Sequence, residues 1–274
     1  MPFVDIDKAA RHVLEVIERG QSSEMHPTPL LFVHGAWHGA WCWDEYFLDY
    51  FAGRGFRVLA PSLRGHGGSP VEKSLRLCSI SEFVADVTMV AQRLPRPPVL
   101  VGHSMGGFVV QKYLESHDTP AAVLLASAPP RGQLGSLLRS VRRHPWRAMK
   151  FAITGNPADL CGSPAGTREM FFGSRAPDHL VEMTAARLQP DSMRAIFFDM
   201  VAGDLVDTRK VNTPMLVMGG TGDEVYSARD VRRTAEAYQT SPVLIPHAGH
   251  DIMLEPGWST AAVTIESWLG QHGL

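Results

Sequence analysis

An α/β fold with a mostly parallel central sheet is what the sequence predicts. Two observations predict it: short apolar runs ending at glycine or proline, and longer segments of helical period between them. "PLLFVHG" (from Pro29), "FRVLAP" (from Phe56), "PVLVGHS" (from Pro98), "AAVLLASAP" (from Ala121), "TPMLVMGG" (from Thr213) and "SPVLIPHAGH" (from Ser241) read as strands. Their apolarity is continuous rather than alternating, as expected for strands covered on both faces. Helices are expected over about 43–53, 80–94, 105–117, 227–239 and 257–271. In the second of these, Ile80, Phe83, Val84, Val87, Val90, Ala91 and Leu94 recur at spacings of three and four. "RHVLEVIE" (from Arg11) reads as an early antiparallel edge strand, although its amphipathic pattern also fits a helix.

The rhythm breaks between Pro129 and Asp207, where roughly eighty residues separate one strand from the next, far more than an ordinary crossover loop. This stretch is rich in Arg, Met, Phe and Pro, so short helices over the end of the sheet are expected. The organisation read from the sequence is a core of residues 1–129 and 208–274 with a helical cap inserted at 130–207.

The chain has 274 residues, 45% hydrophobic and 20% charged, enough for a sizeable core in an ordinary globular protein. A formal net charge of −2 gives no electrostatic case for a nucleic-acid partner. The twelve histidines are scattered, and no metal is expected. Three cysteines, Cys42, Cys78 and Cys161, are odd in number and far apart, which argues against a disulfide framework and fits a reducing compartment. The opening lacks the apolar core of a signal peptide, and no run approaches the ~18 apolar residues of a membrane span. A cytoplasmic location with no integral membrane segment is the expectation.

Chemistry enters at "VLVGHSMGGFVVQKYL" (from Val99), where Ser104 stands between Gly102 and Gly106 as a β-branched run gives way to a helical one. A tight strand-to-helix turn would strain the serine backbone and expose its side chain at the sheet end. The glycines are required because a side chain at either would strike the adjacent strand or helix. A plain helix N-cap is the competing role for Ser104. A serine alcohol is a weak nucleophile, so a base and an orienting acid must follow. His250 in "IPHAGHDIMLEPGW" is the candidate base, ahead of His247, because it lies beyond the strand terminus in a loop free to reach Ser104. Asp223 in "MGGTGDEVYS" is the candidate acid, ahead of the adjacent Glu224. An oxyanion needs two fixed N–H donors. Met105 supplies one, and Ala36 or Trp37, in "FVHGAWHGAWCW", supplies the other. Trp41 and Trp43 are expected in packing roles, while Trp37 lines the pocket.

Taken together, HG after one strand, "SLRGHGGS" (from Ser62) after the next, "GHSMGG", a strand-end Asp and a late "GH" resemble the α/β-hydrolase superfamily. "HGAWHGAWCW" resembles the plant esterase and hydroxynitrile lyase branch with its bacterial relatives. "GHSMGG" and "RGHGGS" also resemble lysophospholipases and monoacylglycerol lipases. Epoxide hydrolases and haloalkane dehalogenases carry aspartate where this chain has Ser104. The lyases carry lysine directly after the histidine, where this chain has Asp251. The resemblance therefore implies a serine hydrolase cleaving a carboxylic ester through an acyl-enzyme, with no cofactor. An acyltransferase or thioesterase-like enzyme and a ligand-binding receptor that keeps the fold are the alternatives. Met105, Phe108, Phe171, Phe172, Phe197, Phe198 and Met253 are candidate pocket residues beside Trp37. Arg139, Arg142, Arg143, Arg147 and Lys150 form a basic run that is either a lipid-surface contact or a solvated helix face.

Overall fold

The computed structural model describes residues 13–154, 159 and 162–274. Cys161 and the first residues of the "RHVLEVIE" segment lie outside them. Seven strands form one sheet: β1 Val16–Arg19, β2 Leu30–Val33, β3 Val58–Pro61, β4 Val99–His103, β5 Ala122–Leu125, β6 Met215–Gly220 and β7 Pro242–Ile245. The spatial order is β1-β3-β2-β4-β5-β6-β7. β1 pairs antiparallel with β3 at the edge, and every other pairing is parallel. Each apolar run read as a strand is one.

Continuous apolarity has the expected cause. Leu30 and Phe32 of β2 enter a core layer with Trp43, Phe47, Phe51, Ile265 and Leu269. Leu31 and Val33 enter the opposite layer with Phe83, Val87, Phe108 and Val109. Strand side chains alternate in direction, so a strand sandwiched between helices needs apolar residues at every position. Each such aliphatic or aromatic side chain contributes roughly 1.5–3 kcal/mol by leaving water.

The core helices are α1 Trp41–Asp44, α2 Phe47–Ala52, α3 Ile80–Ala91, α4 Met105–Tyr113, α9 Ala228–Ala237 and α10 Trp258–Gln271. α3 starts on a capping box in which Ser79 Oγ accepts from Glu82 N and Glu82 returns a bond to Ser79 N. Ser227 and Asp230 do the same for α9. Between β5 and β6 lie α5 Leu134–Arg143, α6 Pro145–Thr154, α7 Pro164–Phe171, α8 Asp178–Arg187 and a π-helical segment Ala195–Gly203.

Strand order reverses between β2 and β4, since β3 lies on one side of β2 and β4 on the other. A parallel sheet opens a crevice beyond its carboxyl ends at such a point. Val33 pairs with Gly102 and His103 with Leu125, which aligns the strand ends. The loop after β2 and the turn after β4 therefore meet at that crevice.

Candidate active site

Ser104 sits between β4 and α4 with φ 52° and ψ −119°, a backbone conformation that non-glycine residues rarely adopt. Neighbours hold it there: Ser104 N–H donates to Leu125 O at 3.2 Å, and Ala128 N–H donates to Ser104 O at 3.1 Å. A Cβ at Gly102 would lie 2.6 Å from Gly107 Cα, and one at Gly106 would lie 2.3 Å from His34 O. Both collisions are with backbone, so the turn closes only on glycine. The Ser104 side chain makes no capping bond to α4, which removes the N-cap role.

His250 and Asp223 come from the loops after β7 and β6. His250 Nδ1–H donates to Asp223 Oδ2 at 2.9 Å, both side chains being buried. Asp223 is itself fixed, because Oδ1 accepts from Val225 N at 2.7 Å and Tyr226 N at 2.9 Å. With Nδ1 engaged, Nε2 is the ring atom left to serve as a base. His247 is exposed on the loop, where its N–H donates to Thr221 Oγ1 at 2.8 Å. Glu224 forms an ion pair with Arg143 and does not meet the imidazole. His250 and Asp223 are thus the pair the fold brings together.

The turn after β2 separates the two proposed donors. Trp37 has φ +66°, and its N–H donates to Asp191 Oδ2 at 2.7 Å. That N–H is taken. His34 Nδ1–H donates to Gly35 O at 2.8 Å, and His38 Nδ1–H donates to Ala36 O, also at 2.8 Å. Ala36 N–H has no acceptor among the described residues, and Ala36 and Met105 both line the crevice. A Cβ on Gly35 would lie 2.9 Å from Ser104 Cβ, which shows how closely this turn approaches the serine.

Residues 30–262 match the alpha/beta hydrolase family. The chain belongs to that family. It is 26% identical over 260 residues to a non-heme haloperoxidase of Rhodococcus erythropolis, covering 87% of this chain and 88% of that protein. It is 27% identical over 301 aligned positions to epoxide hydrolase A of Mycobacterium tuberculosis, covering 91% and 92%. A shorter alignment, 34% identical over 108 residues, spans little more than a third of a non-heme chloroperoxidase of Burkholderia pyrrocinia (38%). The fold is similar to that of an esterase from Exiguobacterium antarcticum, with TM-score 0.75, 19% identity, and 95% of this chain and 98% of that chain covered. A thermophilic esterase from Thermogutta terrifontis gives TM-score 0.73 at 20% identity, covering 95% and 94%. Family membership supports a hydrolase.

In this alpha/beta hydrolase Ser104, His250, Ala36 and Met105 open onto one cavity of about 740 Å³. Trp37, Phe151, Phe171, Phe172 and Phe197 form much of its apolar lining. Three of the expected pocket residues need correction. Phe108 and Met253 are fully buried and lie in the two core layers, not on the cavity. Phe108 is on the face of α4 that packs on the sheet, and Met253 lies in the turn Ile252–Leu254, whose three side chains point inward. Phe198 is 62% exposed and also misses the cavity, while Phe197 beside it reaches Phe151. Trp43 is buried in the core, and Trp41 packs on its margin under the Arg187 guanidinium. Most of the basic run is paired: Arg139 with Asp230, Arg143 with Glu224, Arg147 with Glu169 and Lys150 with Asp159.

Behind the cavity lies a buried polar layer that the sequence reading missed. His38 Nε2–H donates to Asp251 Oδ2 at 3.0 Å, and both groups are almost fully buried. Burial alone would push the His38 pKa down, yet the Asp251 carboxylate outweighs it and raises the pKa. Both His38 nitrogens donate, which requires the cation. His103 does the opposite: burial, with the His250 ring beside it, lowers its pKa to about 3. It stays neutral and donates from Nε2 to His250 O at 3.1 Å. His250 N–H and Asp251 N–H both donate to Phe171 O at 2.8 Å, which ties this loop to the end of α7. His103, His250 and Asp251 place three ligand-type atoms within 4.8 Å, but His38 already occupies one Asp251 oxygen. Nothing in the local spacing around Asp251 signals these partners, because His38 lies 213 positions away.

Proposed function

We propose that the protein is a serine carboxylic ester hydrolase for apolar acyl or aromatic esters. The observation that carries the reading is the strained Ser104, which shares its cavity with a histidine whose Nδ1 is held by Asp223. Ser104 Oγ attacks the ester carbonyl carbon while His250 Nε2 takes its proton. The negative oxygen that forms is bound by the N–H groups of Ala36 and Met105. Collapse breaks the carbon–oxygen bond to the alcohol, which leaves with the proton from His250. Water, deprotonated by the same nitrogen, then releases the acid and restores Ser104. Asp223 holds the imidazole tautomer and stabilises the imidazolium formed in each half.

The cavity volume suits a mid-sized ligand, and its aromatic lining favours an apolar group with few polar anchors. Residues 130–207 act as a cap in this reading, since Gln133, Phe151, Phe171 and Phe197 of that stretch close over the cavity. No described helix is long and apolar enough to cross a membrane.

The test is hydrolysis of p-nitrophenyl and glyceryl esters across acyl lengths by wild type and Ser104→Ala. Turnover that disappears in the variant supports the reading, and the preferred length maps the cavity. A variant as active as wild type removes Ser104 as the nucleophile. Added alcohols that divert the acyl group to a new ester would favour an acyltransferase instead.

A further inference from the structure

Asp191 lies in the stretch between β5 and β6, and 154 positions separate it from Trp37. Its side chain is 1% exposed. One oxygen, Oδ2, accepts from Trp37 N–H at 2.7 Å and lies 3.0 Å from His66 Nε2, while Oδ1 accepts from Ser192 N–H at 2.5 Å. His66 comes from the "RGHGGS" segment and also donates from Nδ1 to Arg64 O at 3.0 Å. The insertion grips the same turn a second time, because Gln189 N–H donates to Trp37 O at 3.0 Å. Gln189 Oε1 accepts from Gly67 N–H at 3.2 Å, so "RGHGGS", the β2 turn and the insertion are joined.

These contacts define a peptide plane. The Ala36–Trp37 peptide is held at its oxygen by His38 and at its N–H by Asp191. The preceding Gly35–Ala36 peptide is held at its oxygen by His34. What these planes leave facing the crevice is Ala36 N–H. Trp37 keeps a left-handed backbone at φ +66°, a conformation an aromatic residue retains only when its surroundings impose it.

We propose that Asp191 is a positioning residue that aims the Ala36 N–H at the developing oxyanion, so that the donor is set only when the insertion is seated on the core. This inference rests on the ester-hydrolase reading. Asp191 touches neither Ser104 nor the cavity and acts through the peptide it grips. Burial alone would raise its pKa, but the His66 charge and the two backbone bonds hold it low, which keeps the carboxylate an acceptor.

The experiment compares wild type and Asp191→Asn, as full-length chains, on p-nitrophenyl butyrate and with an alkyl trifluoromethyl ketone. The ketone carbon bonds to Ser104 Oγ, the serine proton passes to His250, and the resulting oxyanion sits where the transition-state oxygen would. Asparagine has one acceptor oxygen in place of two, so the Trp37 and Ser192 bonds cannot both persist. Loss of one oxyanion donor typically costs about 10²–10³ in kcat. The expected result is a kcat lowered on the order of a hundredfold, a KM within about threefold, and a ketone Ki weakened in step with kcat. A kcat that holds while KM rises, or a ketone Ki that stays put while kcat falls, overturns the proposal.

His66→Gln answers the question if Asp191→Asn does not fold. It removes the imidazole that lies against the carboxylate, and kcat and the ketone Ki should again move together with KM constant. If neither moves, Asp191 is only a structural anchor. Wild type without Ser104-dependent turnover defeats the ester reading and this inference together, whereas failure at Asp191 alone leaves the ester reading intact.

Discussion

His250 Nδ1 and Asp223 Oδ2 meet at 2.9 Å although 27 positions separate the two residues, one from each of two neighbouring loops at the carboxyl edge of the sheet. The pair is buried, with side chains 2% and 0% exposed. A carboxylate in that position favours the tautomer that leaves Nε2 free and offsets the charge that develops on the ring. Asp223→Asn keeps the shape and loses both effects. It should lower kcat by about 10³–10⁴ with KM little changed. Steady-state kinetics on any ester turned over by wild type measure this, and an unchanged kcat would remove Asp223 from the mechanism.

Two glycines should respond to alanine in opposite directions. At Gly106 the added Cβ would stand 2.3 Å from His34 O and 2.4 Å from Val33 O, two backbone atoms of the adjacent strand end. Strand or helix must shift, at a cost of about 1–3 kcal/mol or more. At Gly270, inside α10, nothing lies within 4 Å of the new Cβ. There alanine should stabilise by roughly 0.5–1 kcal/mol through helix propensity. Thermal unfolding of both variants reads the contrast, and a Gly106→Ala protein as stable as wild type would contradict the close packing of α4 on β2.

Removing the charge at Asp251 should be far more costly than its distance from solvent suggests. The His38 cation would then be buried without a counter-ion, and such losses run at about 3–5 kcal/mol. Burial works against the charge on His38, and Asp251 raises its pKa above the ordinary 6.5. That part of the stability is complete below pH 6.5 and declines as pH climbs through the raised value. Burial likewise opposes the charge on Asp251, but His38 lowers its pKa below the ordinary 3.8, so its part is complete above pH 3.8 and declines as pH falls. The gap in Tm between wild type and Asp251→Asn should therefore be widest between about pH 4 and 6.5 and narrow at higher pH. A gap independent of pH would argue against a charged pair.

Glu255 supplies a titration of the other sense. Burial lifts its pKa from 4.5 to about 7, while Oε1 accepts from Gly173 N–H at 3.0 Å and Gly249 N–H at 2.6 Å. A proton on Oε2 leaves both bonds in place. Because the folded value is the higher one, the stability linked to this proton is complete below pH 4.5 and lost as pH rises through about 7. Glu255→Gln should flatten that stretch of the Tm profile and leave the protein more stable than wild type at pH 8. A variant that follows the wild-type profile would assign the slope to other groups.

Much of this architecture was legible in the residues because its causes are local. Continuous apolar runs reported strands covered on both faces, three-and-four spacing reported α3, and paired glycines around Ser104 reported the strained turn. Each signal is spread over neighbouring positions, where backbone geometry converts spacing directly into direction. The choice between His250 and His247, or between Ala36 and Trp37 as donor, has no such signal. What distinguishes them structurally is a partner far away in the chain: Asp223 meets the His250 imidazole, and Asp191 takes the Trp37 amide. Phe108 and Met253 are alike in chemistry to the cavity residues, and only the tertiary packing around each side chain decides which of them reaches the cavity. The amino-acid order by itself determined the elements, the sheet and the place of the strained turn at Ser104. Tertiary structure alone decided which polar groups are satisfied, and a hydrogen bond between distant segments exists only once both have been brought to the same edge.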